Sequence, residues 1–453
     1  MRNMYESMSP ASSPQQFKHA NDLSEFVLAS PSSYHAAQKV ARDLEASGFT
    51  ILSERESWSI EPGGKYIVVR DGAVAAWVVP ESLKNKPGTR SIYTYFTIVG
   101  AHNDSPGFKL KPNPDFNAEG AEQVGVEIYG GPLLNSWLDR ELTLAGQLTL
   151  KDGSTSLVQT EPIARIPQLA VHLDRSVNDK LVLDKQKNLQ PVIGLASGAS
   201  PTVGKSGAME LLAESAGVDA DDIAGYDVFT YPAQAPAIFG ARKEFLASPR
   251  LDNLASVYAA SSALAGVGAS QLSGIALMVA FDHEEVGSQT RSGASGPFLA
   301  DVTQRIIGAL APDMTNPKEL YLRALAGSTC ISSDAGHAVH PNFADHHDPV
   351  NRPVLGGGPL LKINAQQRYS TDSVGTARWA AACASAGVEY QEFVSNNSIA
   401  CGTTIGPLTA TRLGITTVDI GPALWSMHSA REMCAVNDIA ALHDGLAASF
   451  LTL

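Results

Sequence analysis

The sequence predicts an α/β protein: a mixed, mostly parallel sheet flanked by helices, interrupted by a β-rich module. Three observations carry this. After residue 245, strand-like runs alternate with helix-length segments, the pattern that builds parallel sheets. Between about 107 and 244 the texture changes to Leu/Thr alternation broken by turn residues, as in antiparallel strands. Near the start, Lys65–Arg70 and Ala73–Val79 flank Asp71-Gly72, a hairpin signal.

Taken in order, residues 1–20 read as a flexible Ser/Pro-rich tail. The first helix places Ala37, Val40, Ala41 and Leu44 on one face, with Ser32 or Ser33 as N-cap and Gly48 past its end. Ser91–Gly100 is a β-rich run leading to His102. In the middle part, Glu141–Leu150 alternates, Lys151-Asp152-Gly153 turns, and a second strand comes after it. A Gly/Ser/Pro/Lys-rich loop spans 183–205, before a short helix near Ala208–Ala216. Helix Asn253–Ala265 then precedes strand Gly274–Phe281, and helix Pro297–Leu310 precedes strand Ser328–Ser332. Helix Ser373–Ala386 precedes strand Glu389–Val394, and Gly414–Ile420 is a further strand. No fixed-period repeat suggests a solenoid. The expected organisation is a tail (1–20), a discontinuous domain (21–106 and 245–453) and an insert (107–244).

Composition narrows the function. The 453 residues are 44% hydrophobic, ample for a large core and incompatible with wholesale disorder. Lys+Arg number 33 against 46 Asp+Glu, a net charge of −13 that argues against nucleic acid or anionic membrane as the main partner. Charged residues make up 17%, below the ~25% usual in globular chains, so either the core is large or other subunits cover some surface. The N-terminus has no apolar secretory core, and no apolar run approaches the ~20 residues that span a bilayer. Four scattered cysteines (Cys330, Cys383, Cys401, Cys434) suit a reducing compartment and buried thiols. The expectation is a soluble, cytoplasmic protein.

The candidate chemistry sits just beyond the end of each strand. Ser91–Gly100 leads to His102-Asn103-Asp104, and Gly274–Phe281 to Asp282-His283-Glu284-Glu285. Ser328–Ser332 leads to Asp334 and His337, and Gly414–Ile420, after a short loop, to His428. Asp252 stands just before a helix. Open α/β sheets gather functional groups outside the carboxyl ends of their strands. Two His and three carboxylates fit a dinuclear zinc-type site, in which one carboxylate bridges and another stays free as base. The neighbours Glu284 and Glu285 suit that division, because adjacent residues on extended chain project to opposite sides. The dense set His337, His340, His346 and His347 is expected to be mostly outlying, substrate-facing or exposed.

At these residues the chain resembles the aspartyl aminopeptidases, the M18 family of metallopeptidases. The motifs are His102-Asn-Asp104-Ser-Pro, Asp282-His-Glu-Glu-Val-Gly-Ser288, Ser332-Ser-Asp-Ala-Gly-His-Ala-Val-His-Pro-Asn342 and Ser426-Met-His-Ser-Ala-Arg-Glu432. Gly358-Pro-Leu-Leu-Lys362, Gln367-Arg-Tyr369 and Gly402-Thr-Thr-Ile-Gly-Pro407 also match, and the similarity runs from about residue 20 onward. The resemblance implies a zinc-exopeptidase fold with an inserted dimerisation domain, and an enzyme removing N-terminal Asp or Glu from peptides. It implies two divalent ions, zinc by preference, on His102, Asp252 (bridging), Glu285, Asp334 and His428. Glu284 would be the general base on a metal-bridging water, and Asp104 would hold the imidazole of His102. Lys362, Tyr369 and His337 would contact the substrate side chain, and His172 would complete a neighbouring subunit's site in a dodecamer built from dimers. Asn103 stands where many members carry Thr, and Asp372 where Asn is usual.

Rival readings are few. Gly198 to Ser206 nearly spells a phosphate-binding loop, but the glycine spacing is wrong and Pro201 interrupts it. No Gly-x-Ser-x-Gly elbow supports a serine hydrolase. An aminopeptidase of the same fold with neutral-residue preference, and a non-catalytic metal-bound scaffold, are the alternatives.

Overall fold

The computed structural model describes residues 13–85, 94–196, 207–312 and 316–452. Central strands rich in Val, Ile and Ala, buried on both faces, pair with more exposed edge strands into a nine-stranded mixed sheet. Its order is Thr50–Ile51, Lys65–Arg70, Ala73–Val78, Ile275–Phe281, Phe96–His102, Thr329–Ser333, Thr416–Gly421, Leu360–Lys362 and Gln391–Phe393. The four central strands, from Ile275–Phe281 to Thr416–Gly421, run parallel. The Asp71-Gly72 hairpin adds an antiparallel flank. Alternation divides Ala73–Val78 between two cores: Val74, Ala76 and Val78 face one, Ala73, Ala75 and Trp77 the other.

Helices cover both faces. Pro14–Leu28, Ser33–Ala46, Leu251–Ala265, Ser373–Ala386 and Val436–Thr452 supply the first core. Phe298–Leu310, Pro317–Ala326 and Ile405–Leu413 supply the second. Between residues 107 and 232, antiparallel strands form a seven-stranded sheet that curls back on itself, because Ile223–Pro232 pairs with both Gly107–Ala118 and Glu141–Leu150. This β-rich part has its own core around Phe108, Trp137, Leu144 and Val228.

Several elements differ from expectation. The tail expected through residue 20 ends earlier, because Pro14–Leu28 is a helix. Ser13 and Gln16 form a reciprocal capping box there, with Pro14 fixing the first turn. The loop expected over 183–205 contains the strand Val192–Leu195, whose backbone pairs with Ala121–Tyr129. The near-phosphate loop, Gly198 to Ser206, lies outside the described residues, as does the beginning of the Ser91–Gly100 run. Cys330, Cys383 and Cys434 are buried, and Cys401 is half-buried. No described helix is long and apolar enough to cross a membrane.

Asp438, in the first turn of the Val436–Thr452 helix, is fully buried and accepts the N–H groups of Gly356 and Gly358, each at 2.9 Å. It pins the glycine loop that feeds the Leu360–Lys362 strand. Burial pushes its carboxyl up to about 7, only partly offset by the two N–H groups. The folded state therefore holds this proton more tightly than the unfolded chain. The resulting stability is complete below the ordinary carboxyl range and is lost as pH rises to about 7. Asp438→Asn removes that titration. Its stability relative to wild type is expected to rise between pH 5 and 7, by at most about 1.4 kcal/mol per unit. Denaturant midpoints at the two pH values check this, and a pH-independent difference would refute it.

Candidate active site

The parallel strands deliver their carboxyl ends to one edge of the sheet, and the candidate residues collect there. His102 ends Phe96–His102, Asp334 directly follows Thr329–Ser333, and Glu284 and Glu285 lie in a short turn after Ile275–Phe281. Asp252 begins a helix and His428 follows the short strand Ala423–Leu424. His283 and His428 both take left-handed backbone conformations, which turn the chain sharply at the site. At Gly421 a Cβ would lie 1.7 Å from the Asp334 carbonyl, so only glycine permits this approach of strand to ligand loop.

Asp252 divides its two oxygens. Oδ1 is 3.3 Å from His102 Nε2, which is 3.4 Å from Asp334 Oδ1. Oδ2 is 3.4 Å from His428 Nε2, which is 3.5 Å from Glu285 Oε1. Two metal-type triads result, His102/Asp252/Asp334 and Asp252/Glu285/His428, with Asp252 common to both. Glu284 joins His102 and Glu285 in a third grouping.

The electrostatics describe a site short of positive charge. Burial pushes Glu284 up to about 8, with Asp334, Asp104 and Asp252 adding to the rise, and Glu285 lies well above the carboxylate range for the same reason. Burial opposes protonation of His428, but Asp252 and Glu285 outweigh it and raise it to about 10. His102 is likewise raised, by Asp104, Asp252 and Asp334 against burial. Asp252 Oδ1 and Glu285 Oε1 are buried and accept no hydrogen bond. Buried imidazole and carboxylate donors with unfilled lone pairs fit divalent metal ions, zinc among them.

Asp104 supports this set from behind. Its carboxylate accepts the N–H groups of Glu284 (3.0 Å) and Glu285 (3.1 Å) and the Tyr129 hydroxyl (2.8 Å). Its main-chain oxygen is 3.0 Å from His102 Nδ1, nearer than its carboxylate at 3.4 Å. Asn103 donates to the Gly72 carbonyl, and its own carbonyl accepts from the buried Arg250.

The substrate candidates are arranged less directly. Lys362 is 1% exposed, donates to the Ala335 carbonyl at 2.7 Å and lies 3.9 Å from Asp334. Tyr369 packs its ring 5.2 Å from the ammonium. Tyr369 and His337 line an open cavity with His340, Phe393, Cys401 and Trp425. Asp372 is exposed and caps the Ser373–Ala386 helix, where its oxygen accepts the Gly375 N–H. His172 is exposed in the β-rich part and joins none of the cluster's contacts.

Three contributors escaped the sequence reading. Tyr129 comes from the β-rich part, as does Gly131, whose carbonyl lies 3.0 Å from His428 Nδ1. Glu432, 1% exposed, accepts the backbone N–H of Asp252 at 2.9 Å and of His428 at 2.6 Å, one on each oxygen. It clamps two candidate ligands that are 176 residues apart in sequence (428 − 252). A carboxylate one helical turn beyond His428 in sequence was legible as a signal, but main-chain partners carry none. Glu432→Gln leaves one of those N–H groups facing an amide. We expect zinc affinity, read by chelator competition, to fall about 10- to 100-fold. Unchanged affinity would refute the clamp.

The sequence profile of the aminopeptidase I zinc metalloproteases (M18) matches residues 26–450. A probable M18 family aminopeptidase 2 of Streptomyces avermitilis is 51% identical over 443 residues, 96% of this chain and 99% of that one. Among solved structures, the cryo-EM structure of the Ape4 and Nbr1 complex aligns with TM-score 0.89 and 35% identity, across 97% of this chain and 86% of that chain. The mApe1 dodecamer of S. cerevisiae aligns with TM-score 0.79 and 27% identity, over 95% of each chain. With this fold and these donors at the strand ends, the chain belongs to the M18 family of zinc aminopeptidases.

Proposed function

We propose that this M18 aminopeptidase holds two zinc ions, one by His102, Asp252 and Asp334 and one by Asp252, Glu285 and His428, and removes N-terminal Asp or Glu from peptides. The observation that carries the dinuclear reading is the division of Asp252 between two triads. When bound, the metal supplies Lewis-acid polarisation of the scissile carbonyl and a nucleophile at neutral pH.

The chain's own residues do the rest. Glu284 takes a proton from the attacking water and returns it to the leaving nitrogen. Asp104 keeps Glu284 in place by accepting its N–H. With Glu432 counted beside Asp104, Asp252, Glu284, Glu285 and Asp334, six carboxylates stand against the four charges of two zinc ions and the ammonium of Lys362, which leaves the centre at −1. That residual charge favours a substrate's terminal ammonium and thus exopeptidase action.

Acidic preference needs a local cation, because a chain of net charge −13 repels acidic peptides at long range. Lys362 is the buried ammonium beside the site, 5.2 Å from the ring of Tyr369, which lines the cavity together with His337. Asp372 does not oppose it, since its charge is engaged at a helix start. We assign residues 21–106 and 245–453 to catalysis and 107–244 to dimerisation, with His172 reaching a neighbour's site. The assembly is a cytoplasmic dodecamer like that of the yeast relative, and the low charged fraction supports extensive subunit contact.

Glu284→Gln is expected to lower kcat about 10²- to 10⁴-fold while zinc content stays near wild type. Retained turnover would refute the base assignment. Peptides beginning with Asp, Glu and Leu, assayed with and without chelator, test the substrate class. Lys362→Met, which preserves buried volume, is expected to abolish the preference for Asp and Glu over Leu. A Leu preference in wild type that survives the substitution would sink the acidic reading.

A further inference from the structure

Away from the catalytic centre, the described residues bring one other set of metal-type donors together. His19 lies on the Pro14–Leu28 helix, and His443 and Asp444 lie on Val436–Thr452. Each offers one ligand atom, and these atoms all lie within 4.8 Å of one another. We propose that His19, His443 and Asp444 form a second, structural site for a divalent transition metal that ties the first described helix to the last.

Two imidazoles and one carboxylate suit zinc, nickel or cobalt, with water completing the shell. His19 is buried and its ring is fixed from behind, with Nδ1 3.0 Å from the Tyr258 hydroxyl. That hydroxyl comes from the Leu251–Ala265 helix and lies 3.5 Å from Asp22. Such an outer partner sets the orientation of a ligating imidazole and leaves its other nitrogen free. The His19 and His443 rings are 4.4 Å apart between centroids. Two imidazolium ions at that spacing would repel, whereas two neutral rings can share a cation. Asp444 Oδ1 lies 2.8 Å from His443 Nδ1, and the proton shared between them is one a metal would displace.

The site is also reachable and closable. The side chains of His443 and Asp444 are 19% and 42% exposed, which gives an ion a path from solvent. Donors at about 2.0–2.2 Å from one ion need only rotamer-scale movement from the present spacing. The Val436–Thr452 helix also packs against Leu251–Ala265 and Ser373–Ala386, so an ion here would secure the edge of a helix layer behind the sheet. None of these residues touches the catalytic cluster, and the inference does not depend on the roles assigned there.

The test compares the holoenzyme with His443→Ala and Asp444→Asn after equilibration in micromolar zinc. Elemental analysis is read beside thermal unfolding and peptidase activity. Wild type is expected to retain one more ion per chain than either variant and to gain more in Tm from zinc, with equal activity in all three. Equal ion counts and equal zinc response would overturn the site. A lower count accompanied by lost activity would also overturn it, because the catalytic centre would then be the source of the missing ion. His443→Gln keeps bulk and polarity without the imidazole, and carries the same expectation should the alanine variant fail to fold.

Discussion

Two imidazoles set against six carboxylates, Glu432 among them, in one largely buried pocket form the constraint on which this architecture rests. Burial strips much of the water from that charge, though the His428 side chain stays 31% exposed, and the ammonium of Lys362, 3.9 Å from one Asp334 oxygen, offsets only a single unit of it. Protons can satisfy the remainder only by raising Glu284, Glu285 and His428 far from their ordinary ranges. Divalent cations resolve the imbalance directly, so ion binding and local stability are one quantity here. The surroundings serve that end. Asp104 and Glu432 commit their own oxygens to backbone N–H groups, which fixes the ligand-bearing chain before any ion arrives.

The sheet was legible because its strands are buried on both faces and read as continuous apolar runs, as in Ile275–Phe281. The hairpin at Asp71-Gly72 was legible for a different reason, since turn chemistry is local. The helix at Pro14 was missed although Ser13-x-x-Gln16 is a capping signal, because its composition is as polar as a tail. Helices Pro317–Ala326, Ile405–Leu413 and Val436–Thr452 were also not legible: the first two are short, and the last comes after a strand with no intervening turn. Within the site, strand ends marked the region, and the M18 resemblance singled out His102, Asp252, Glu284, Glu285, Asp334 and His428 from neighbours such as Asp282, His283 and His337. The carbonyl of Gly131 and the hydroxyl of Tyr129 could not be named from sequence, since their place depends on how the β-rich part docks.

Selectivity presents a problem of a different kind. A fully buried ammonium such as Lys362 has already lost its water, so its field is screened less than that of any surface lysine. Its hydrogen bond to the Ala335 carbonyl and its proximity to Asp334 hold it still. In the proposed acidic selectivity, charge fixed in this way would attract an incoming carboxylate without reorganising.

The stretch Tyr129–Gly131 has one more consequence. It meets Asp104, approaches Glu285 at Gly130, where an added Cβ would lie 3.1 Å from that side chain, and holds His428 through Gly131. These contacts join residues made before the β-rich part, within it and long after it. On the proposed assignment, therefore, an emerging fragment that lacks residue 428 lacks one of the ligands. The first half carries His102 and its supports without their partners, and the ring of ligands closes only when residue 428 has joined a β-rich part already in place. On the proposed ligand assignment, completion of the centre is thus coupled to completion of the fold.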